Sequence, residues 1–379
     1  MSGHLVLLGV KTQEAIDEKK EYLARQLITY MGNKRSLLGF IEGGIREVQK
    51  RLNKTKLRTF DVFSGSGIVA RYLKRFSELL IVNDLEHYSQ VINECYLSNE
   101  DDLDMSLLLD YYREIIVGAG SHLIKGIISE LYAPKDDADI RPGERVFYTP
   151  RNAEYIDTVR GMIEKIPEQY RRYFLAPLLS EASIHANTSG LFKGFYKNKE
   201  TGTGQFGGMC RNALFRITGD IKLPFPVFSN FNCDTIVCRG DSNEVIHTLP
   251  EVDMAYVDPP YNQHPYGSNY FMLNLILDYK RPDSASTISG IPAGWNRSQY
   301  NKEKHALKAL TELVENIKAK YVLISFNSAG FIGIEQMKNM LGRIGRVQVL
   351  ETKYNAFRGG RNVRTREMYV REYLYLLEK

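Results

Sequence analysis

An α/β fold is predicted: a doubly wound mixed sheet, interrupted by a partly helical insert and closed by a C-terminal β-hairpin. Three observations carry this. A β-rich run at 57–63 is broken by Ser64-Gly65-Ser66-Gly67 and followed by a helical stretch at 68–76, the strand–turn–helix unit that opens such folds. Short apolar runs recur at 79–82, 235–239, 254–257 and 321–326, most of them ending at or just before a polar tip. From about 134 to 230 this rhythm is lost, which marks the insert, and at 347–377 an alternating pattern marks the hairpin.

In chain order, residues 13–28 have the spacing of an amphipathic helix leading into Tyr30-Met31-Gly32-Asn33-Lys34-Arg35-Ser36. Leu37, Leu38, Ile41 and Ile45 set the period of a second helix. The Gly-Asn-Lys-Arg segment stands directly before that helix, where backbone N–H groups and two cations favour an anion. A solvated loop with a helix cap explains the same letters. At the glycine turn, Gly65, Gly67 and Ala70 satisfy the G-x-G-x-x-G/A dinucleotide pattern, so a dehydrogenase is one reading. The second strand ends at Asn83-Asp84, an acid where this architecture meets ribose hydroxyls; capping a helix that starts near Glu86 is compatible with that role.

Residues 86–131 are helical in pattern, and another helical piece lies around 153–185. From His185 to Asn198 the chain interleaves Lys193 and Lys197 with Phe192, Phe195 and Tyr196, and a Gly/Thr-rich run follows to Gly208. Such a stretch suits a phosphate backbone with stacked or wedged bases, and Asn187, Lys193 and Lys197 are its candidate contacts. A surface loop with partly buried aromatics is the competing explanation. At the third strand tip, Asp241 is placed either to accept from an adenine amino group or to cap the segment from Asn243.

The fourth strand runs into Asp258-Pro259-Pro260-Tyr261. Two consecutive prolines remove two donors and fix two φ angles, so the strand stops in a stiff turn that holds an acid and an aromatic in place. That arrangement suits a planar substrate gripped along one edge and stacked on one face, as a flipped nucleobase is. Helices are expected at 301–320 and 330–344. The hairpin, 347–354 and 368–377, encloses a loop at 355–364 whose Arg358, Arg361 and Arg364 could contact phosphates or line the pocket.

With 379 residues the chain can hold one large domain or two moderate ones, and 43% hydrophobic with 25% charged residues is ordinary for a soluble protein. A net charge of +5 permits a polyanionic partner without requiring one. The four cysteines, at 95, 210, 233 and 238, form no C-x-x-C pair, which argues against a zinc ribbon or redox motif and fits a cytoplasmic protein. No apolar run is long enough for a membrane span, and the first residues turn polar too soon for a signal peptide.

YMGNKRSLL, DVFSGSG, IVND and DPPY, in that order, resemble the blocks of the S-adenosylmethionine-dependent DNA adenine-N6 methyltransferases of the Dam-like (alpha) group. The tail YNAFRGGRNVR looks like that family's closing motif. The resemblance spans most of the chain from 30 to 270. It implies a Rossmann-like class I methyltransferase core at 1–100 and 232–379, with 101–231 as the target-recognition region. It further implies that Asp61, Phe63, Gly65 and Gly67 cradle the methionine part of the cofactor, with Tyr30, Gly32 and Lys34 closing over it. Asp84 would take the ribose hydroxyls and Asp241 the cofactor adenine. Asp258 and the Pro259 carbonyl would accept from the target amino group, Pro260 would stiffen the turn, and Tyr261 would stack on the flipped ring.

An exocyclic adenine nitrogen is a poor nucleophile because its lone pair is delocalised, and two acceptors aimed at its hydrogens favour the localised form. Neither a metal nor a covalent enzyme intermediate is required. Within the resembled family, an aspartate at the first position of the tetrad goes with adenine. The resemblance implies an enzyme acting on duplex DNA, in restriction–modification or DNA protection, with a cognate endonuclease as a possible companion; a cytoplasmic monomer is the default expectation. Two further readings stand beside it: an RNA adenine-N6 methyltransferase, and a DNA-binding protein retaining an inactive fold.

Overall fold

The apolar runs become strands because each offers branched and aromatic side chains to both faces of one sheet. The computed structural model describes residues 17–24, 26–208, 213–354 and 370–379. Among them, seven strands form a single sheet: β1 Leu57–Asp61, β2 Ser77–Asp84, β3 Asp234–Arg239, β4 Val252–Val257, β5 Ala319–Asn327, β6 Arg346–Tyr354 and β7 Val370–Glu378. Their order is β3-β2-β1-β4-β5-β7-β6. β1 to β5 run parallel, and β7 lies antiparallel between β5 and β6. The expected doubly wound mixed sheet and C-terminal hairpin are both present.

The winding direction fixes where a ligand can sit. From β1 the chain moves outward through β2 to β3, then returns to the other side of β1 with β4, so β1 and β4 are neighbours at the switch point. Crossover connections leave in opposite directions there, and a crevice opens beyond the carboxyl ends of the strands. β5 shows how the sheet is held. Tyr321 and Leu323 share an apolar cluster with Ile41, Ile45 and Val48 of the helix Leu38–Leu52. The alternating Val322 and Ile324 share another with Leu310 and Leu313 of Glu303–Asn316 and Leu341 of Ile334–Gly342.

Between β2 and β3 the helices Met105–Ser121, Ile127–Tyr132, Pro150–Ile163 and Glu168–Ile184 build the insert. Its core is continuous with the rest of the molecule. Leu108, Ile115, Ile156 and Leu178 cluster with Tyr88 and Ile92, which follow β2, and with Phe271 and Met272, which follow β4. The Arg160 guanidinium donates to the Ile276 and Leu277 carbonyls at 3.1 and 3.0 Å, satisfying acceptors at the end of helix Phe271–Asp278. No helix among the described residues is long and apolar enough to cross a membrane.

Helix limits differ from the periodicity in three places. The expected helix at 13–28 is helical only at Lys20–Ala24 within the described residues. The chain leaves it because the Thr29 amide donates to Ser183 Oγ at 3.0 Å and the Met31 amide to the Tyr270 hydroxyl at 2.7 Å, bonds a continuing helix could not make. The 86–131 pattern is three helices, His87–Tyr96, Met105–Ser121 and Ile127–Tyr132, and Pro167 divides the 153–185 pattern in two.

Because β5 is buried on both faces, Leu323→Ala and Ile324→Ala are each expected to cost about 2–5 kcal/mol in urea unfolding at unchanged m-value. A loss confined to one of the two would mean that one face of the sheet is poorly covered.

Candidate active site

A cleft of about 930 Å³, counted to its open mouth, lies over the switch point. Its walls are the strand tips and the segment before the first long helix: Asp61, Phe63 and Gly65 from β1, Asp84 and Glu86 from β2, Asp241 from β3, Asp258 to Tyr261 from β4, and Tyr30 to Lys34. Pro259 and Pro260 are therefore in it, and so is Gly32. Gly67 is the one expected cofactor residue outside the lining. Its φ of +73° turns the chain into helix Ile68–Leu73, and a Cβ there would stand 2.9 Å from Asn93 Oδ1. What the structure gives it is the turn and close packing that only glycine allows.

Gly65 faces the cleft. With φ +52°, a Cβ would lie 2.7 Å from the Tyr30 ring, so only glycine lets that ring and the turn approach. Tyr30 itself packs in a triangle of rings with Tyr266 and Tyr270, at centroid distances of 5.0 and 4.9 Å, those two lying 5.9 Å from each other. Below the turn, Asp61 is 1% exposed, and the Phe63 and Ala70 amides face its carboxylate without closing a well-formed hydrogen bond to either oxygen among the described residues. Burial, with Asp258 and Asp84 nearby, raises its pKa well above the usual range; the Phe63 and Ala70 amides counter only part of this. An orphaned buried carboxylate beside a glycine turn fits a cationic ligand, such as the sulfonium-bearing methionine part of S-adenosylmethionine.

Asp84 accepts from the Gly65 amide at 2.8 Å and the Glu86 amide at 2.9 Å, so it braces the turn and the helix entry together. Glu86, which sequence reasoning treated only as a helix start, lines the cleft while nearly buried. Asn274 Nδ2 donates to it at 2.7 Å and Asn296 Nδ2 at 3.3 Å. Burial pushes the Asp84 carboxyl to about 6, and burial with Asp84 nearby pushes Glu86 to about 7. Asp241 caps its short helix, Oδ1 accepting from the Asn243 amide at 2.9 Å, and it also lines the cleft. Phe63 forms a wall with Tyr300, edge-on at 5.1 Å.

On the opposite side, the proline-stiffened turn is pinned from outside. The Phe331 amide donates to the Tyr261 carbonyl at 3.1 Å, and Asn301 Nδ2 to the Asn262 carbonyl at 2.8 Å. The Tyr261 ring packs edge-on against Phe326 at 5.5 Å. Lys34 corrects the anion-loop expectation: its ammonium, 2% exposed as a residue, lies 3.2 Å from Asp258 Oδ1 and 2.7 Å from Glu372 Oε1. Its neighbour Asn33 caps the Arg35 amide at 2.8 Å. Two carboxylates thus take the charge an anion would have needed. Burial works against the Lys34 ammonium, but Asp258, Tyr261 and Glu372 more than offset it and hold its pKa well above the usual lysine value. Burial raises the Asp258 carboxyl, Lys34 lowers it, Glu372 raises it again, and the balance stands at about 7.

Of the expected DNA contacts, Lys193 and Lys197 are exposed. Lys193 stands near the loop after the tetrad: burial, then the Lys193 charge, lowers the His264 pKa. Asn187 is corrected. It is fully buried, donating to the Val146 and Gln205 carbonyls at 2.7 and 2.8 Å and accepting from the Gly207 amide at 3.0 Å, so it ties the loop together. The aromatics do not wedge outward either, since Phe192 is buried and Phe195 packs on the same cluster. Arg358, Arg361 and Arg364 lie outside the described residues.

A parallel sheet with an antiparallel C-terminal hairpin, a glycine turn over β1, acids on successive strand tips and Asp-Pro-Pro-Tyr at the switch point define a Rossmann-like methyltransferase. Residues 30–340 match the model of the D12 class N6 adenine-specific DNA methyltransferases, and the chain belongs to that family. It is similar to the type II methyltransferase M.NlaIII of Neisseria lactamica, at 28% identity over 365 residues covering 93% of this chain and 99% of the relative. It is also similar to the type II methyltransferase M.CviAII of Paramecium bursaria Chlorella virus 1, at 27% over 338 residues, covering 87% and 93%. Against the type II methyltransferase M.FokI of Planomicrobium okeanokoites, identity is 24% over 364 residues, covering 92% of this chain and 52% of the relative. The chain is thus an adenine-specific DNA methyltransferase, and it uses a methyl donor.

The buried acids set a pH dependence of stability opposite to that of salt-bridged carboxylates. Glu86 has a folded pKa of about 7 against 4.5 unperturbed, so the native state holds its proton longer and stability falls as pH rises between those values. Glu86→Gln keeps an acceptor for Asn274 without the charge. It is expected to flatten this fall and to exceed the wild type by about 1–3 kcal/mol at pH 8 in urea unfolding. A variant that tracks the wild type at every pH would show that Glu86 carries no buried charge.

Proposed function

We propose that this chain transfers a methyl group from S-adenosyl-L-methionine to N6 of an adenine swung out of duplex DNA at a specific sequence. The observation that carries this is the opening of Asp258 and Tyr261 into the same cleft as the Gly65 turn and the orphaned Asp61 carboxylate. Asp61, Phe63 and Gly65, with Tyr30 and Gly32 across from them, would hold the methionine part; Asp84 and Glu86 lie toward the ribose, and Asp241 toward the adenine. When bound, the cofactor supplies a sulfonium-activated methyl group.

The chain's own residues supply positioning and charge control. Asp258 and the Pro259 carbonyl accept from the target amino group, which localises its lone pair and steadies the positive charge that develops on nitrogen. Tyr261, its ring buttressed by Phe326, stacks on the base and keeps its plane fixed. A carboxyl group that titrates near neutrality can also hold the proton that nitrogen must release.

Residues 101–231 form the target-recognition region in this reading. Support comes from the exposed Lys193 and Lys197 and from the core that region shares with the helix following the tetrad. The relatives' names as type II methyltransferases support a modification role with a cognate endonuclease as genetic companion. We take the working unit to be a monomer. The cytoplasm is its compartment, a reading supported by free Cys95, Cys233 and Cys238.

The test is modification-sensitive long-read sequencing of DNA from a methylase-deficient host expressing the chain. N6-methyladenine is expected at one recurrent short motif, with Asp258→Ala reducing it at least about a hundredfold. Soluble wild-type protein that leaves the DNA unmodified would overturn the reading.

A further inference from the structure

β7 is paired on both sides, with Glu372 opposite Asn327 of β5 and Thr352 of β6. A fully buried glutamate at such a position is costly unless it is partnered. Its Oε1 accepts from Lys34 Nζ at 2.7 Å and from Ser325 Oγ at 2.6 Å, while Oε2 has no hydrogen bond among the described residues. The same ammonium reaches Asp258 Oδ1 at 3.2 Å and stands 5.4 Å above the centre of the Tyr261 ring. Asp258 Oδ1 is closed to solvent, yet the side chain as a whole is 16% exposed, so its free surface is on the remaining atoms.

We propose that Glu372 is a positioning residue for Asp258: through Lys34 it ties back Oδ1 and leaves Oδ2 to meet the target amino group. This rests on the methyltransferase reading of Asp258. The rigid part of the sheet thereby reaches the catalytic acid through a side chain on a loop. Glu372 cannot touch the substrate, because its side chain is 1% exposed and Lys34 lies between. Removing Lys34 alone would leave two buried acids facing each other, and removing Glu372 alone would free the ammonium to follow Asp258. The other titratable groups facing Asp258 are Asp61, Tyr256 and Tyr266.

The two partners act on Asp258 with opposite sign, Lys34 lowering its pKa and Glu372 raising it. That gives a signature that lost packing cannot mimic. The purified full chain would be assayed with tritiated S-adenosylmethionine and duplex DNA carrying the mapped motif, from about pH 5.5 to 9. Glu372→Gln is expected to lower kcat at least about tenfold, to leave KM for donor and DNA within about threefold, and to move the acid limb of kcat to lower pH. Lys34→Met is expected to move that limb to higher pH. Glu372→Asp keeps the charge and is expected to leave the limb in place while kcat falls.

Acid limbs that stay at the wild-type position in both Lys34→Met and Glu372→Gln would overturn the proposal, as would wild-type kcat in Glu372→Gln. Should Glu372→Gln not fold, Lys34→Met and Glu372→Asp decide: an unmoved limb in the first, or a moved limb in the second, overturns it. An inactive wild type would instead refute the methyltransferase reading, which an active wild type with inactive Asp258→Ala upholds.

Discussion

Five carboxylates, Asp61, Asp84, Glu86, Asp241 and Asp258, line the cleft where the sheet reverses direction, and among the described residues the lining contains one cation, Lys34. Much of the site follows from this imbalance. Burial raises the carboxyl pKa of Asp61, Asp84, Glu86 and Asp258, neighbouring acids add to it at Asp61, Glu86 and Asp258, and holding such groups out of water costs folding free energy. The molecule tolerates them because backbone amides hold Asp84, side-chain amides hold Glu86, and the Lys34 ammonium holds Asp258 and Glu372. What is left over is an excess of acceptors in the cleft, which suits a cationic ligand better than an anionic one. The dehydrogenase reading of Gly65, Gly67 and Ala70 gives way to the family match over residues 30–340, and it leaves the buried Asp61 carboxylate beside the glycine turn without a role.

The insert is tied to the same centre. Its helices share a core with the helix after β2 and the helix after the Asp-Pro-Pro-Tyr turn, and Arg160 ties the insert to the end of the latter. Whatever the insert contacts is therefore mechanically continuous with the elements on both the β2 side and the β4 side of the cleft. Lys193, near His264 beside the tetrad, lies on that connection.

Much of the fold was legible because strands buried on both faces are apolar without interruption, and each strand ends where a polar or proline-bearing turn begins. Nearly all the candidate site was legible for a related reason: the residues at strand tips are close in space whenever the strands are parallel and adjacent. The exceptions each lost to a contact from far along the chain. Asn187 looked like a polar surface residue until three backbone groups 18 to 41 residues away, at Val146, Gln205 and Gly207, claimed it. Phe192 and Phe195 looked like stacking residues until the shared core buried them. Within the described part of the helix expected at 13–28, the chain leaves helical geometry for hydrogen bonds that the Thr29 and Met31 amides donate to Ser183 and Tyr270, which no local pattern contains.

The sequence alone determined the chemistry: an acid and an aromatic locked by two prolines, a glycine turn after the first strand, and acids on the tips that follow. Those depend on local geometry, which short stretches of chain carry by themselves. Only the tertiary structure decided the electrical state of that chemistry. Glu372 sits in a largely apolar C-terminal strand, 338 residues from the lysine it pairs with, and its sequence neighbour Arg371 gives no hint that the partner is Lys34. Pairing of β7 beside β5 brings it under Lys34, and burial makes the contact strong enough to matter.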